Sequence, residues 1–352
     1  YPGLYYMLTD LALIGDAAIR SNYLAPVSVG GSYVLFASND NNRMLKVPYD
    51  NDAFGRYNKY KMSGDFLSYE VSALYEGESR EGLILGSVTH DLWKSAVSAS
   101  LSKGGTVNSL QVFSGVSTSD TRDLIPHGKV KGPEVVSARM FVGYFDDWRT
   151  GMETFADANN LVAPRTESWT HGTPFGWQSW GVLAEKNSYE ADVEIADYYA
   201  EVLMPGGFCN DQGKVVFSLD AGDNMNDTQH LNFILQGKAR NQIVGCYNTP
   251  FSMWCGEKPN WDDVVGTAED GTQWKRRDVA YCVDPTHPYM KKATADFIKW
   301  QAGTIGFKYM KMDFLNCGMV QADSYYNPDV TTAVAAYNEG MAFIREELDK
   351  YG

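Results

Sequence analysis

The stretch GFKYMKMDFL, residues 306–315, reads as a short apolar strand that ends with Lys311 and Asp313. Side chains alternate between the two faces of a strand, so Tyr309, Lys311 and Asp313 are expected to project on the same side. In α/β barrels the catalytic groups lie at the carboxyl ends of the strands. A lysine beside a carboxylate there favours its ionised form, as a nucleophile or charge stabiliser requires. An ion pair that only stabilises the strand end is equally compatible with these residues.

The sequence that leads up to this stretch alternates strand and helix patterns. Strand patterns cover residues 173–180, 214–220 and 242–247, so residues 306–315 form the fourth. Helical patterns lie between or after them, the first with Asn187 and Glu190 at capping-box spacing, the second from Pro288 to Gly303, and the last with apolar residues from Val334 to Leu348. Such alternation is typical of βα units and a parallel sheet.

The N-terminal part of the chain has a different pattern. Short segments rich in β-branched and aromatic residues recur there, separated by clusters of Gly, Asn, Asp and Ser. Regularly spaced short strands of this kind are typical of a β-sandwich. The sequence therefore predicts a multidomain α and β protein. An N-terminal β-sandwich domain covers residues 1–145 and a helical linker residues 146–170. Residues 171–352 form the first half of a (β/α)8 TIM-type barrel.

The length of the C-terminal region limits this interpretation. A complete barrel needs roughly 250 residues, more than residues 171–352 provide. Half a barrel would leave parallel edge strands open. We therefore expect a fragment of a longer polypeptide, in which both the sandwich and the barrel are incomplete. A doubly wound open sheet is the alternative, although no Gly-rich phosphate loop follows the first strand.

Composition and charge limit the classes of partner. The formal net charge is −14, and the longest basic run is residues 275–277. This argues against nucleic acid and anionic membranes. No run of about 18 apolar residues exists to span a bilayer. The five cysteines show no metal-binding spacing, so we predict no metal site. Cys255 and Cys317 are the candidate pair for a disulfide.

Several motifs together resemble a known family. They are FGWQSW (175–180), FSLDAG (217–222), GCY (245–247), DPTHP (284–288) and KYMKMDF (308–314), with GSVTHDLWK (86–94) in the N-terminal region. In their order and in their placement on successive strands they resemble the retaining α-galactosidases, most closely glycoside hydrolase family 36. The resemblance spans nearly the whole chain and implies a β-supersandwich followed by a catalytic barrel.

The resemblance also implies roles for individual residues. Asp313 corresponds to the nucleophile that forms a covalent glycosyl–enzyme intermediate, and Lys311 to the lysine that binds sugar hydroxyls and keeps the nucleophile ionised. Trp177 corresponds to an aromatic wall of the sugar pocket and Tyr247 to a tyrosine beside the nucleophile. Asp220 corresponds to the first of two aspartates that bind the 4- and 6-hydroxyls.

Two features depart from the family pattern. Ala221 replaces the second of those aspartates, which puts the preference for galactose in doubt, because an unpaired hydroxyl in a dry pocket costs about 1–3 kcal/mol. Asp223 is a candidate for the missing acceptor. The general acid/base aspartate of the family comes from a strand near the sixth and is expected outside this chain, with Asp284 as the in-chain alternative.

The functional prediction is a retaining, exo-acting α-glycosidase of the α-galactosidase kind, acting without a cofactor on an oligosaccharide or glycoside. Two alternatives stay open. One is a glycosyltransfer enzyme of the raffinose-synthase kind, and the other is a non-catalytic carbohydrate-binding pseudoenzyme. The sequence is compatible with a homo-oligomer. It leaves the compartment open, while the resemblance favours a secreted or periplasmic setting.

Overall fold

The computed structural model describes residues 4–37, 39–50, 59–164, 170, 172–254, 265–267, 270, 272–276 and 280–352. Two compact units are present. The first comprises residues 1–166, 265–274 and 319–338, and the second residues 167–264, 275–318 and 339–352. Within the described ranges no helix combines the length and apolar character that a bilayer span requires. The predicted partner of Cys317, Cys255, lies outside the described residues.

The first unit contains three antiparallel sheets and one long helix. One sheet has the strand order β1-β12-β8-β7-β4-β5, another β3-β10-β9-β6, and β11 pairs with β2 as a two-stranded ribbon. The strands are Tyr6–Thr9 (β1), Ala12–Ser21 (β2), Leu24–Val34 (β3), Asn42–Met44 (β4), Tyr60–Lys61 (β5), Gly64–Tyr69 (β6), Val71–Glu76 (β7), Gly82–Ser87 (β8), Ser95–Leu101 (β9), Thr106–Ser114 (β10), Val130–Val136 (β11) and Met140–Phe145 (β12).

The two larger sheets share one hydrophobic core. Leu85 and Met140 of the six-stranded sheet pack in the same buried cluster as Val97 and Val112 of the four-stranded sheet. On β12 the next residue along, Phe141, belongs to a different buried cluster, because neighbouring side chains on a strand point to opposite faces. The six-stranded sheet is therefore buried on both faces.

Helix α1, Trp148–Val162, covers the second face of that sheet. Its N-cap is Asp147, whose carboxylate accepts a hydrogen bond from the backbone N–H of Arg149 at 3.0 Å. The ring of Phe155 meets that of Phe141 edge-on at 5.6 Å between centroids. The helix thus packs directly on the β-rich region.

The second unit contains a parallel sheet, a small antiparallel sheet and helices. The parallel strands lie in the order β13-β14-β15-β19, and the antiparallel sheet has the order β16-β18-β17. In chain order the elements are Gly176–Gln178 (β13), Tyr189–Tyr198 (α2), Val215–Ser218 (β14), Asp227–Ala239 (α3), Gln242–Asn248 (β15), Ser252–Trp254 (β16), Lys275–Arg276 (β17), Ala280–Cys282 (β18), Pro288–Ile298 (α4), Tyr309–Met312 (β19) and Ala333–Asp349 (α5), the last including residues 339–349 of this unit. Short 3-10 or π-helical turns cover Ser179–Gly181, Ala184–Lys186, Tyr199–Leu203, Lys299–Ile305 and Leu315–Met319.

Two helix boundaries differ from the sequence-based expectation. Helix α2 is capped by Ser188, whose hydroxyl accepts from the N–H of Ala191, and not by Asn187. The helix that starts at Pro288 continues past Gly303 as a π-helical stretch and ends at Gly306, with φ of 91°. That left-handed conformation costs glycine little and is a common helix terminator.

The mixed α and β class is confirmed, with a β-rich N-terminal region and a parallel sheet after it. The four parallel strands follow the order of the chain, and each hydrogen-bonds to the next. The described residues do not close this sheet into a barrel.

Candidate active site

The carboxyl ends of the parallel strands bring distant residues together. Tyr247 on β15 and Lys311 on β19 are direct Cα partners in the strand register. Asp313 follows the end of β19, and its N–H donates to the carbonyl oxygen of Asn248 at 2.9 Å. Asp220 lies two residues after the end of β14, the strand adjacent to β15. Parallel pairing in register therefore assembles the site from three neighbouring strands.

Lys311 lies between two carboxylates. Its Nζ is 2.7 Å from Oδ2 of Asp220 and 3.5 Å from Oδ2 of Asp313. The side chain of Asp220 is 3% exposed, whereas those of Lys311 and Asp313 are 32% and 35% exposed. The lysine is thus anchored on a buried acid and directed toward an accessible one. The contact between Lys311 and Asp313 is compatible with the prediction that their side chains project on the same side of the strand.

Tyr247 contacts the accessible carboxylate from the neighbouring strand. Its hydroxyl donates to Oδ2 of Asp313 at 3.3 Å, and Nζ of Lys311 lies 5.2 Å from the centre of its ring. Burial, together with the negative charges of Asp313 and Asp220, raises the pKa of the Tyr247 hydroxyl. The phenol therefore stays protonated and acts as a donor toward Asp313.

The second oxygen of Asp313 is held by the backbone. Oδ1 accepts from the N–H of Phe314 at 2.8 Å, and Phe314 has a φ of 54°. A left-handed conformation is unusual for a bulky residue and costs on the order of 1 kcal/mol or more. The ring of Phe314 packs edge-on against Trp254 at 5.0 Å. The left-handed conformation of Phe314 accompanies the hydrogen bond from its N–H to the Asp313 carboxylate, and no sequence signal indicates it.

Asp220 is fixed by groups from the first strand and its exit turn. Gln178 Nε2 donates to Oδ2, and the N–H of Ala221 donates to Oδ1 at 2.8 Å. The backbone N–H of Asp220 donates to the hydroxyl of Ser179 at 2.9 Å. Both Gln178 and Ser179 belong to the FGWQSW motif, but no role was predicted for either residue. An amide at the carboxyl end of a strand would have been the available signal.

The side chains of Trp177 and Asp223 make other contacts, although the backbone N–H of Asp223 donates to the carbonyl oxygen of Asp220 at 3.3 Å. The ring of Trp177 packs against Phe217 at 5.6 Å and joins the hydrophobic core of the second unit. The carboxylate of Asp223 is 2.5 Å from Nε2 of His230 and accepts from the N–H of Met225 at 2.9 Å. Of the six predicted site residues, four are joined by side-chain contacts, namely Asp220, Tyr247, Lys311 and Asp313.

A buried polar cluster lies around Asp223. Asp192 on α2 has no exposed surface, and neither of its carboxylate oxygens has a hydrogen-bond partner within the described residues. Burial, with the nearby charge of Asp223, raises the pKa of Asp192 to about 7.

Asp284, the in-chain alternative acid, is buried and accepts hydrogen bonds from the N–H and hydroxyl of Thr286, each at 2.8 Å. Across the described ranges no three His, Cys, Asp or Glu side chains are arranged to hold a metal ion.

Comparisons with known proteins show what the fold resembles. No protein-family model and no curated protein sequence matches the chain. Among solved structures, the α-galactosidase TtGalA from Thermus thermophilus, in complex with p-nitrophenyl α-D-galactopyranoside, matches with a TM-score of 0.62 at 16% identity, over 97% of this chain and 70% of that one.

Two further α-galactosidases match over a smaller share of their length. The GH36 enzyme AgaA from Geobacillus stearothermophilus has a TM-score of 0.65 at 11% identity, over 99% of this chain and 51% of that one. The α-galactosidase from Lactobacillus brevis has a TM-score of 0.59 at 8% identity, over 98% and 48%. This chain therefore spans about half the length of these two enzymes. Its fold resembles that of the α-galactosidases of glycoside hydrolase family 36, as the sequence motifs predict.

Proposed function

We propose that the protein is a glycoside hydrolase that removes a terminal α-linked galactose, or a related sugar, with retention of configuration. One observation carries the proposal: Lys311 and the protonated Tyr247 both contact the same oxygen of Asp313, whose carboxylate is accessible. A cation and a hydrogen-bond donor at this oxygen orient the carboxylate for attack on the sugar. The fold neighbours include structures crystallised with stachyose and raffinose, which supports a sugar as the substrate.

The proposed reaction has two steps. In the first, an oxygen of Asp313 forms a bond to the anomeric carbon while the bond to the leaving oxygen breaks, and a carboxylic acid protonates that oxygen. In the second, the same group, now a carboxylate, takes a proton from water as the water displaces Asp313. Retaining enzymes place these two carboxyl groups about 5–5.5 Å apart. We propose that the second one comes from a part of the protein beyond residue 352.

The roles of the neighbouring residues follow from their contacts. Lys311 offsets the charge of Asp313 and has ammonium hydrogens left to donate to sugar hydroxyls. Asp220 is almost fully buried, so its main proposed role is to hold Lys311 in place. Trp177 and Asp223 remain proposed sugar contacts, and both are partly exposed.

The strand arrangement supports a proposal for the architecture. Four parallel strands in chain order are what the first half of a (β/α)8 barrel contains. We propose that residues 171–352 are that half and that later residues of a longer protein complete it. The proposed β-sandwich domain covers residues 1–145, and residues 146–170 link the two.

The test is the Asp313→Ala variant of the protein, assayed on a nitrophenyl α-galactoside. Removing the group that forms the covalent intermediate is expected to lower kcat by on the order of 10⁴-fold. Sodium azide should restore turnover, because a small anion fits the space and attacks the anomeric carbon directly, and the product should be the β-configured glycosyl azide. Asp65→Ala, at an exposed position on β6, serves as the matched control. Full activity of Asp313→Ala would refute the assignment.

A second candidate is a non-catalytic sugar-binding protein. Ala221 favours it, because the family pattern has a sugar-binding aspartate at this position and alanine offers no acceptor. Under this alternative the unmodified protein binds galactosides in a calorimeter but hydrolyses none. Asp313→Ala then weakens binding, and azide has no effect.

A further inference from the structure

The first unit contains a cavity of about 680 Å³ that the proposed function does not use. Its walls come from the end of β2, from residues 125–131 and from residues 321–331. Small-molecule sites in proteins commonly measure about 300–1,000 Å³. The cavity is therefore large enough for one or two sugar rings, and much larger than a bare inorganic anion requires.

Three cationic side chains line this cavity. Arg20 on β2 and Lys131 on β11 are direct Cα partners in the antiparallel ribbon. Their Cβ atoms therefore lie on one face, about 4.5–5.5 Å apart. Lys129 also lines the cavity, two residues before Lys131. All three are exposed, and none forms an ion pair with a described residue.

The local charge is opposite to that of the whole chain. The chain carries a net charge of −14, yet Asp323 is the one acidic residue among the described residues that line the cavity. Like charges placed directly opposite each other on paired strands are destabilising. A bound anion would offset this repulsion, and the lysines and arginine would give it charge-assisted hydrogen bonds.

The wall behind these cations is held rigidly. Lys94 and Asp123 form a salt bridge of 2.7 Å, with side chains that are 1% and 0% exposed. Asp123 also accepts from the N–H of Gln321 at 2.7 Å, and Nε2 of Gln321 donates to the carbonyl oxygen of Thr331 at 3.2 Å. Rigid walls lower the ordering cost of binding. The cavity is thus a preorganised feature of the first unit.

The remaining lining suits a ring with hydroxyl groups. Pro126, Pro328 and Val330 offer apolar surface to the carbon face of a sugar. Asn22 and Ser324 offer hydrogen-bonding groups to its hydroxyls. We propose that this cavity binds a sugar that carries an anionic group, namely a carboxylate, sulfate or phosphate.

The experiment measures binding to the protein by calorimetry at low ionic strength. The probes are digalacturonate, galactose 6-sulfate and galactose 6-phosphate, with neutral galactobiose and inorganic sulfate for comparison. Arg20→Ala combined with Lys131→Ala removes two cations that face each other across the ribbon. Lys103→Ala, at an exposed position outside the cavity, is the matched control.

Galactose 6-sulfate and galactose 6-phosphate differ only in the charged group, and digalacturonate adds a disaccharide with carboxylates, so the ranking of the three indicates the ligand chemistry. At least one of them is expected to bind in the millimolar range or better. The double variant should weaken it by about tenfold or more, since it removes two of the cations that form charge-assisted hydrogen bonds with the anion. Lys103→Ala should bind like the unmodified protein. The thermal midpoint of the double variant should not fall, because the substitution removes a repulsive pair.

Three results would overturn the proposal. They are the absence of binding by all three anionic sugars, an unchanged affinity in the double variant, and inorganic sulfate binding as tightly as the sugars. These outcomes are independent of the proposed hydrolysis, because they concern binding at residues of the first unit. The double variant should keep its activity on a nitrophenyl α-galactoside, whatever the outcome of the calorimetry.

Discussion

His127 in the first unit gives a prediction whose size follows from the structure. Its Nε2 is 3.2 Å from the backbone N–H of Lys94, and its Nδ1 is 2.9 Å from the carbonyl oxygen of Gly128. A backbone N–H can only donate and a backbone carbonyl can only accept. The two contacts together therefore require a neutral ring with its proton on Nδ1. A second proton on Nε2 would face the N–H of Lys94.

Burial lowers the pKa of His127 to about 4; the hydrogen bond to Gly128 opposes this shift, and the charge of Lys94 adds to it. The ordinary value is 6.5, so between pH 6.5 and 4 the unfolded chain takes up a proton that the folded one does not. Stability due to this residue is therefore present above pH 6.5 and is lost as the pH falls toward 4. The residue is 2% exposed, and the loss amounts to about 3 kcal/mol.

The variant His127→Gln isolates this effect, because a glutamine amide has one acceptor and one donor but no proton to gain. We expect the unmodified protein to unfold at higher urea concentration than the variant at pH 7.5. Its advantage in free energy of unfolding should shrink by about 2–3 kcal/mol by pH 4.5.

His90→Gln is the control with the opposite sign. The hydrogen bond to Glu70 raises the pKa of His90, so stability due to His90 is present at low pH and is lost as the pH rises. The reasoning would be refuted if the difference in free energy of unfolding between the unmodified protein and His127→Gln stayed constant between pH 4.5 and 7.5.

Two further predictions concern the second unit. Asp220→Asn should remove the negative charge that anchors Lys311 at 2.7 Å. It should lower kcat/KM on a nitrophenyl α-galactoside by about tenfold to a hundredfold while the fold is kept, because a charge-assisted hydrogen bond contributes roughly 1.5–3 kcal/mol. Unchanged kinetics would show that Lys311 needs no such anchor. Asp192→Asn should stabilise the protein at pH 8 by on the order of 2–4 kcal/mol and have little effect near pH 4, as urea unfolding at the two pH values would measure. The sign follows because burial raises the pKa of Asp192 to about 7: its contribution is intact below the ordinary value of 3.8 and is lost as the pH rises toward 7. An equal effect at both pH values would contradict the assignment of a buried, protonated acid.

Local patterns predicted much of the architecture. The short β-branched and aromatic segments of the N-terminal region correspond to antiparallel strands such as β8 and β12, which are buried on both faces. Alternating strand and helix patterns correspond to four parallel strands in chain order. These features depend on neighbours in the sequence, so the sequence is enough to indicate them.

Helix ends and backbone reversals were less accessible. Helix α2 is capped by Ser188, one residue after the expected Asn187. Serine and asparagine have similar preferences for the N-cap position, so the sequence does not distinguish between them. The left-handed conformation of Phe314 has no signal in the sequence, because bulky residues rarely adopt it. Such details depend on packing, which selects between local alternatives of nearly equal energy.

The sequence by itself predicted that Lys311 and Asp313 project on the same side of one strand and that Asp220 and Tyr247 lie at the ends of two others. Only the tertiary structure decided that Lys311 bridges Asp220 and Asp313, and that Asp223 turns toward His230. It also decided that Arg20 faces Lys131 across the ribbon. The physical reason is that strand register and core packing bring together residues such as Asp220 and Lys311, 91 positions apart, and select one of several local side-chain orientations. Both depend on the whole folded unit, whereas side-chain alternation depends only on the covalent geometry of adjacent residues.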